Sequence, residues 1–200
     1  MPLTDLNIEN QAYINQEALK DSSWMAYQIG DIFKRTDLNM IIHSTNCFHN
    51  MSSGISYKIK EHYINAFIAD KKTQFGSADK LGTFSSSLEE NINNKQELMI
   101  INLYSQYNPG TCEEHSNAID SKENRFLYLK ESLNKFADFM KLFNIDSTEE
   151  NKCKFVVGVP WLIGCGQYAG GDYNEVFNLF KEIFSSMSNV IKIVFVDING

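Results

Sequence analysis

The sequence predicts a three-layer α/β/α sandwich built around a mixed central sheet. Short apolar runs of strand length alternate along the chain with longer segments in which apolar residues recur every three or four positions. Such alternation is typical of a sheet that is covered by helices on both faces. The 200 residues are enough for one domain, with or without an extension, to bury most of its apolar surface.

The first half of the chain is expected to supply four strands and one helical region. Residues 1–21 are polar and weakly periodic, so we expect an N-terminal extension before a domain that spans residues 22–200. The strands predicted from apolar runs are 24–29, 38–44, 81–85 and 98–104. Residues 54 to about 72 are expected to be helical.

The second half begins with a long predicted helix over residues 122–143. Its apolar residues follow the three-and-four spacing of an amphipathic helix, and they are Phe126, Leu129, Leu133, Phe136, Met140 and Phe143. The last three predicted elements are a strand at 154–159, a helix at 173–187 and a strand at 190–197. The polar stretches expected to be surface loops are 88–97, 111–123 and 146–152.

Composition argues against several classes of function. The chain carries 18 basic and 25 acidic residues, a net charge of -7, whereas broad binding to nucleic-acid phosphates requires a basic face. No run approaches the roughly 20 apolar residues of a membrane span, and the polar N-terminus does not resemble a signal peptide. The cysteines lack paired spacing, so we expect reduced thiols in a cytoplasmic or nuclear protein. They are Cys47, Cys112, Cys153 and Cys165.

The segment from Val159 to Asp172 is the most informative stretch of the chain. Its four glycines, Gly164, Gly166, Gly170 and Gly171, lie between a predicted strand and a predicted helix. Glycine lets backbone amides turn towards a ligand, and a helix N-terminus adds a partial positive charge. The loop therefore suits a phosphate or diphosphate, although a glycine-rich turn without a ligand remains the alternative.

Three predicted loops are expected to form one cleft. Residues 30–31, 45–54 and 164–171 each follow a predicted strand. Ligands of sheets of this kind bind beyond the carboxyl ends of the strands. We therefore expect these loops to converge on a single ligand.

Four short motifs lie at these strand ends. They are Gly30-Asp31-Ile32, Ile41 to Asn46 (IIHSTN), Ser52 to Ile55 (SSGI) and Pro160 to Gly166 (PWLIGCG). In this order they resemble the motifs of macrodomains, the α/β/α modules that bind ADP-ribose, and the similarity runs from about Tyr27 to Val196. The resemblance implies a macrodomain-like fold over most of the chain.

The resemblance also implies which residues meet the ligand. Asp31 would accept the adenine amino group, the backbone amide of Ile32 would touch the diphosphate, and Asn46 would meet the distal ribose. The other expected ligand-binding residues lie in the loops around the ribose and phosphates and at one strand end, and they are Ser53, Gly54, Ile55, Gln106, Gly164, Cys165, Gly166 and Gln167.

Two features resemble one macrodomain subclass, which contains ADP-ribose 1''-phosphate phosphatases and terminal ADP-ribose glycohydrolases. These features are His43 in the second motif and the strand end Asn102-Leu-Tyr-Ser-Gln106. The glycohydrolases use a lysine nucleophile, but Gln106 occupies the corresponding position and no lysine lies between Gln96 and Lys122. This departure argues against a covalent lysine mechanism. The first loop is also poor in glycine, which predicts either a tighter rim of the ribose pocket or a different conformation of that rim.

The candidate catalytic residues, His43 and Asp172, each have a structural alternative. His43 lies in an apolar strand, where it is either a general acid/base or an orienting group near the distal phosphate, or else a buried core histidine. Asp172 either activates water or caps the following helix, because Asp172 and Glu175 form a capping-box pattern.

Turn and packing roles are alternatives for other residues as well. Asp31 and Asn46 could satisfy only local turns, and Cys165 could be only a packing residue. His43, Cys47 and His49 have a spacing compatible with zinc, but the sequence offers no nearby fourth ligand.

The expected function is binding of ADP-ribose and hydrolysis of ADP-ribose 1''-phosphate to ADP-ribose and phosphate. Loop amides would stabilise the diphosphate while a polar group orients the attacking water. The alternatives are removal of ADP-ribose from modified protein or nucleic acid, and a non-catalytic ADP-ribose reader. We expect no cofactor and no metal. We also expect a monomer whose binding partners are ADP-ribose, its 1''-phosphate or ADP-ribosylated protein. We expect neither membrane binding nor broad nucleic-acid binding.

Overall fold

A computed structural model describes residues 23–112, 114, 118–142, 155–165 and 169–198. Its six strands form one sheet in the order β1-β6-β5-β2-β4-β3. The strands are β1 (Met25–Ile29), β2 (Met40–Asn46), β3 (Phe84–Glu90), β4 (Glu97–Gln106), β5 (Phe155–Pro160) and β6 (Ile191–Asp197). The predicted extension over residues 1–21 lies outside the described part of the chain.

The sheet is mixed because only its edge strand β3 runs antiparallel to its neighbour. The pairings β1 with β6, β6 with β5, β5 with β2 and β2 with β4 are all parallel. The carboxyl ends of these five strands therefore lie along one edge, where ligands of open α/β sheets bind. At that edge a register shift between Thr45 and Asn46 places Asn46 opposite Gln106.

In the described part of the chain, four α-helices cover the sheet, together with four short 3-10 helices. The α-helices are α1 (Gly54–His62), α2 (Ile64–Lys71), α3 (Lys122–Leu142) and α4 (Tyr173–Phe184). The helical region predicted from residue 54 to about 72 is thus two helices. The chain leaves the helical conformation at Tyr63, whose φ of -136° and ψ of 78° separate α1 from α2.

Two apolar cores lie on opposite faces of the sheet, as the predicted sandwich requires. Ile42 of β2 packs in one core with α3 and α4, whereas its neighbour Ile41 packs in the other core with α1 and α2. Successive residues of a strand point to opposite faces, so this split defines three layers. The predicted apolar stripe of α3 is buried in the first core through Leu129, Leu133, Phe136 and Met140. The predicted fold class is confirmed.

The main difference from the predicted elements concerns β3. The predicted strand 81–85 begins at Phe84 and extends to Glu90, so residues 88–90 are strand and not surface loop. As an edge strand, β3 alternates exposed and half-buried residues, and it therefore lacks the apolar run that reveals a central strand. The predicted loop 111–123 likewise contains a 3-10 helix (Ala118–Asp120) and the start of α3. Phe143 and the predicted loop 146–152 lie outside the described residues.

None of the helices in the described part of the chain is both long enough and apolar enough to cross a membrane.

Candidate ligand-binding cleft

Two adjoining cavities open at the carboxyl edge of the sheet. The first has a volume of about 270 Å³ and lies among the ends of β2 and β4, the start of α1 and the loop after β5. The second has a volume of about 520 Å³ and lies between α1 and the end of β6. The residues that line both cavities are Gly54, Ile55, Pro160, Trp161 and Leu162. The two cavities therefore form one elongated cleft. The three predicted loops converge on this cleft, as expected from the sequence.

Most of the predicted ligand-binding residues come together at this cleft. Those that line the first cavity are Asn46, Ser53, Gly54, Ile55, Gln106, Gly164 and Cys165. Ile32 lines the second cavity, and Asp31 stands between the lining residues Gly30 and Ile32. Gly166 and Gln167 lie outside the described residues. His43 and Asp172 do not belong to the described lining of either cavity.

The first turn of α1 lies where the two cavities meet, and it lines both of them. Ser53 is extended at the N-cap, and Gly54 has a φ of +56°, a conformation in which glycine is favoured. The first intrahelical bond runs from Tyr57 N to Ser53 O at 3.1 Å. The amides of residues 54–56 precede that bond, so they have no acceptor within the helix. They can therefore donate hydrogen bonds to an anion.

The loop after β5 forms the opposite wall and closes on itself. The Gly171 amide donates to the Gly164 carbonyl at 3.1 Å, and Cys165 and Gly171 form a parallel bridge. A Cβ atom at Gly171 would lie 2.1 Å from that carbonyl oxygen. Gly164 itself has a φ of +72°, and a Cβ there would lie 2.4 Å from Leu129 Cδ2. Both glycines are therefore required by the backbone path of the loop.

Asn46 is held at the end of β2 by its own loop. Its Oδ1 accepts a hydrogen bond from the Phe48 amide at 2.9 Å, and its Nδ2 donates to the Asn50 carbonyl at 2.9 Å. The turn role anticipated from the sequence is thus present, in a residue that also lines the first cavity. A contact between Asn46 and a ribose remains a prediction.

Asp31 caps the short 3-10 helix Ile32–Lys34. Its Oδ1 accepts a hydrogen bond from the Phe33 amide at 3.0 Å, while the preceding Gly30 amide is held by the Asp197 carbonyl at 2.8 Å. One carboxylate oxygen is therefore engaged locally, and the second is the atom that could accept an adenine amino group.

The Asp31→Ala variant is expected to weaken ADP-ribose binding and to lower stability slightly. Loss of a charge-assisted hydrogen bond to the ligand should cost on the order of 1.5–3 kcal/mol of binding free energy. Loss of the cap should cost about 1 kcal/mol of unfolding free energy. Calorimetric titration and urea unfolding measure the two effects separately. Unchanged affinity in a folded variant would mean that the adenine end of the ligand lies elsewhere.

An ion pair that sequence reasoning missed fixes the loop beside Gln106. The Asp120 carboxylate accepts hydrogen bonds from the Tyr107 and Asn108 amides at 2.8 and 3.0 Å, and it pairs with Arg125 at 2.6 Å. Arg125 also donates to the carbonyl of Gly110, which lines the first cavity. Burial acts to raise the pKa of Asp120, but Arg125 and the two amides outweigh it and lower that pKa. The sequence did carry a signal for this role of Arg125. Arg125 precedes Leu129 by four residues, so both side chains lie on the same buried face of α3.

Trp161 is a second lining residue that the motifs did not single out. It borders both cavities and packs between Tyr27 and Tyr173, with ring centroids 4.4 Å away in each case. The Tyr27 hydroxyl in turn donates to the Asp197 carboxylate at 2.8 Å. This aromatic cluster makes the wall that the two cavities share partly apolar. Its sequence signal is the PWL segment, which begins at the last residue of β5.

His43 is fully buried beneath the cleft. Its Nε2 lies 2.7 Å from Asn102 Oδ1, and its Nδ1 lies 3.3 Å from the Ser56 hydroxyl. Burial lowers the pKa of His43, so the ring is neutral near pH 7. The core role anticipated from the sequence is therefore present, and any chemical role has to act through Ser56.

Asp172 caps α4. Its Oδ1 accepts hydrogen bonds from the Asn174 and Glu175 amides at 2.9 and 3.2 Å. The capping alternative is thus observed, and a role as a base stays a prediction.

The Asp172→Asn variant separates capping from catalysis, because asparagine caps a helix about as well as aspartate but cannot act as a base. Since Oδ1 already serves two amides, we expect both thermal stability and any turnover to stay close to those of the parent. A fall in turnover of about 10²-fold at constant stability would assign the base role to Asp172.

The cysteine thiols at the site are not activated. Burial, followed by the nearby carboxylates of Asp172 and Glu175, raises the pKa of Cys165 to about 12. Burial likewise raises the pKa of Cys47 to about 12. Neither thiol is a thiolate at neutral pH, so packing is the role that the structure supports for Cys165.

The metal spacing noted in the sequence does not become a metal cluster. Within the described ranges, no group of three or more His, Cys, Asp or Glu side chains is arranged so that it could hold a metal ion. His43 faces Asn102, and His49 Nε2 lies 3.2 Å from the Thr73 hydroxyl.

No protein-family model matches the chain. A curated relative, an uncharacterized 17.5 kDa protein from the tk-vs intergenic region of Enterobacteria phage T4, is 35% identical over 77 residues. That match covers 38% of this chain and 48% of the phage protein, so it spans about half the length of the relative.

Solved structures are similar over a much larger part of the chain. The macrodomain of Mycobacterium tuberculosis DarG is 18% identical with a TM-score of 0.59, and the match covers 88% of this chain and 98% of that one. Thermosipho africanus DarTG in complex with ADP-ribose is 15% identical with a TM-score of 0.57, and covers 88% of this chain and 42% of that one. A macrodomain protein from Streptomyces coelicolor is 14% identical with a TM-score of 0.55, covering 88% and 99%. The chain has the macrodomain fold.

Proposed function

We propose that the domain expected over residues 22–200 binds ADP-ribose in the cleft and hydrolyses ADP-ribose 1''-phosphate to ADP-ribose and phosphate. One observation carries the proposal. Two connected cavities, about 270 and 520 Å³ in volume, meet at the N-terminus of α1, between the predicted nucleotide-binding loops. An elongated cleft with amides at its centre suits a ligand that has a diphosphate between two sugar-containing ends.

The ligand is oriented by the chemistry at each end. Ile32 lines the larger cavity and Asp31 directly precedes it, so we place the adenine end there, as the macrodomain resemblance implies. Asn46 and Gln106 belong to the smaller cavity, where polar groups at the ends of β2 and β4 surround the distal ribose. The macrodomain fold supports this arrangement, and the ADP-ribose complex of the Thermosipho africanus protein supports the choice of ligand.

Turnover assays of the purified chain test the activity. We expect release of inorganic phosphate from ADP-ribose 1''-phosphate, and no loss of ADP-ribose from ADP-ribosylated protein. Gln106 occupies the position of the glycohydrolase lysine, so borohydride trapping should yield no lysine adduct by mass spectrometry. Tight binding without phosphate release would identify a reader, and a trapped lysine adduct would identify a glycohydrolase.

A further inference from the structure

We propose that Ser56 is the nucleophile of this phosphatase reaction, with His43 as its general base and Asn102 as the residue that orients His43. The inference rests on the proposed function and adds a residue that no motif singled out. Ser56 lies in the first turn of α1 and lines the first cavity. Ser56 is therefore part of the cavity wall, while His43 and Asn102 lie fully buried behind it.

The hydrogen-bond network assigns the tautomer of His43. Asn102 Nδ2 donates to the Ala66 carbonyl at 2.9 Å and to Ser85 Oγ at 3.0 Å, so Asn102 Oδ1 is the atom that faces the imidazole. His43 Nε2 must then carry the proton in the bond to that oxygen. The neutral ring is left with an unprotonated Nδ1, which lies 3.3 Å from the Ser56 hydroxyl, and that hydroxyl also donates to the Ser44 carbonyl at 3.2 Å. A nucleophile, a base and a group that orients the base are thus connected in series.

The pocket around His43 also accommodates the protonated ring. The Ser44 carbonyl oxygen lies 3.1 Å from His43 Nδ1, on the nitrogen opposite to the one that faces Asn102. A proton arriving from Ser56 would therefore find a backbone acceptor already in place at Nδ1. The carboxylate of Asp70 is close enough to favour the charged ring electrostatically. The Ser44 contact stabilises only the protonated ring, because an unprotonated Nδ1 cannot donate to a carbonyl oxygen.

Backbone amides that could hold a phosphoryl group lie beside Ser56. The amides of residues 54–56 precede the first intrahelical bond, so they have no acceptor within the helix. They also present the positive end of the helix dipole to the first cavity, which residues 54–56 line.

The reaction proceeds in two displacements. In the first, a bond forms between Ser56 Oγ and phosphorus while the bond from phosphorus to the C1'' oxygen breaks. The hydroxyl proton passes to His43 Nδ1, and the departing C1'' oxygen takes its proton from water in the cleft, which gives ADP-ribose and hydroxide. In the second, water attacks phosphorus, the bond from phosphorus to Ser56 Oγ breaks, and Ser56 Oγ regains the proton held by His43. Inorganic phosphate leaves after the hydroxide takes up one of its protons.

Three variants and one trapping experiment test the inference. Ser56→Ala should reduce kcat for ADP-ribose 1''-phosphate by at least about 10³-fold, with Kd for ADP-ribose within about twofold of the parent. Ser56→Thr retains a hydroxyl and should keep measurable turnover. Ser86→Ala, at an exposed position on β3, is the matched control and should behave like the parent. Rapid acid quenching during a single turnover should yield a phosphate on Ser56, detected by peptide mass spectrometry.

The outcomes separate this inference from the proposed function. If the parent chain binds ADP-ribose but releases no phosphate, the phosphatase function fails and the nucleophile assignment fails with it. If the parent turns over and Ser56→Ala retains its rate within about threefold, only the nucleophile assignment is overturned. Absence of phosphate on Ser56 throughout the first turnover would overturn it as well.

Discussion

Replacing Gly171 with alanine is expected to abolish ADP-ribose binding in a protein that still folds. The new Cβ atom would lie 2.1 Å from the Gly164 carbonyl oxygen, and a backbone atom cannot move aside as a flexible side chain does. The loop after β5 must open, which breaks the bridge between Cys165 and Gly171 and displaces one wall of the first cavity. We expect affinity to fall by at least about 100-fold, or about 2.7 kcal/mol.

The control for this prediction is Gly76→Ala. Gly76 also lies in a turn, with a φ of +66°, but its Cβ would meet only the Phe48 side chain, at 3.3 Å. The strain should cost about 1 kcal/mol of stability and leave ligand affinity unchanged, because the residue does not line the cleft. Calorimetric titration and thermal unfolding of both variants measure the contrast. If Gly171→Ala binds like the parent, the loop after β5 does not hold the ligand.

The Arg125→Ala variant is expected to produce the largest loss of stability. It removes one partner of a buried ion pair and leaves the Asp120 carboxylate without its cation, a change that typically costs 3–5 kcal/mol, so about 4 kcal/mol is expected. The loop after Gln106 loses its tether at the same time, because Arg125 no longer holds the Gly110 carbonyl. Ligand affinity should therefore fall along with stability.

Urea unfolding measures this effect, and Lys141→Ala on the same helix supplies the comparison. Lys141 pairs with Asp138 at 2.8 Å, but both side chains are largely exposed, so its removal should cost less than about 1 kcal/mol. A loss of similar size in the two variants would contradict the structural role assigned to the buried pair.

The parts of the fold that were predictable from the sequence are those with a clear apolar pattern. The central strands β2, β4, β5 and β6 are buried on both faces, so their apolar runs identify them. The edge strand β3 is half exposed. Its sequence SSSLEE is typical of a loop, and only the pairing with β4 identifies it as a strand. The break between α1 and α2 at Tyr63 is equally hidden, because apolar spacing continues across it.

The candidate site was predictable to the extent that it consists of backbone. Glycines at positive φ and residues at strand ends carry sequence signals, so the loops around the cleft could be placed before the structure was known. Contacts between distant side chains carry no such signal. The bond from His43 to Asn102 joins residues 59 positions apart, and the contact between Ser56 and His43 joins a strand motif to a residue that no motif includes. The structure alone brings these groups together.

Calorimetric titration of the purified chain with ADP-ribose tests the central claim most directly. Two connected cavities around the N-terminus of α1 should bind this ligand in the micromolar range, with a free energy of roughly -7 to -9 kcal/mol. Gly171→Ala in the same experiment should show no saturable heat. Absence of heat from the parent chain at several hundred micromolar ligand, about -5 kcal/mol or weaker, would contradict the account.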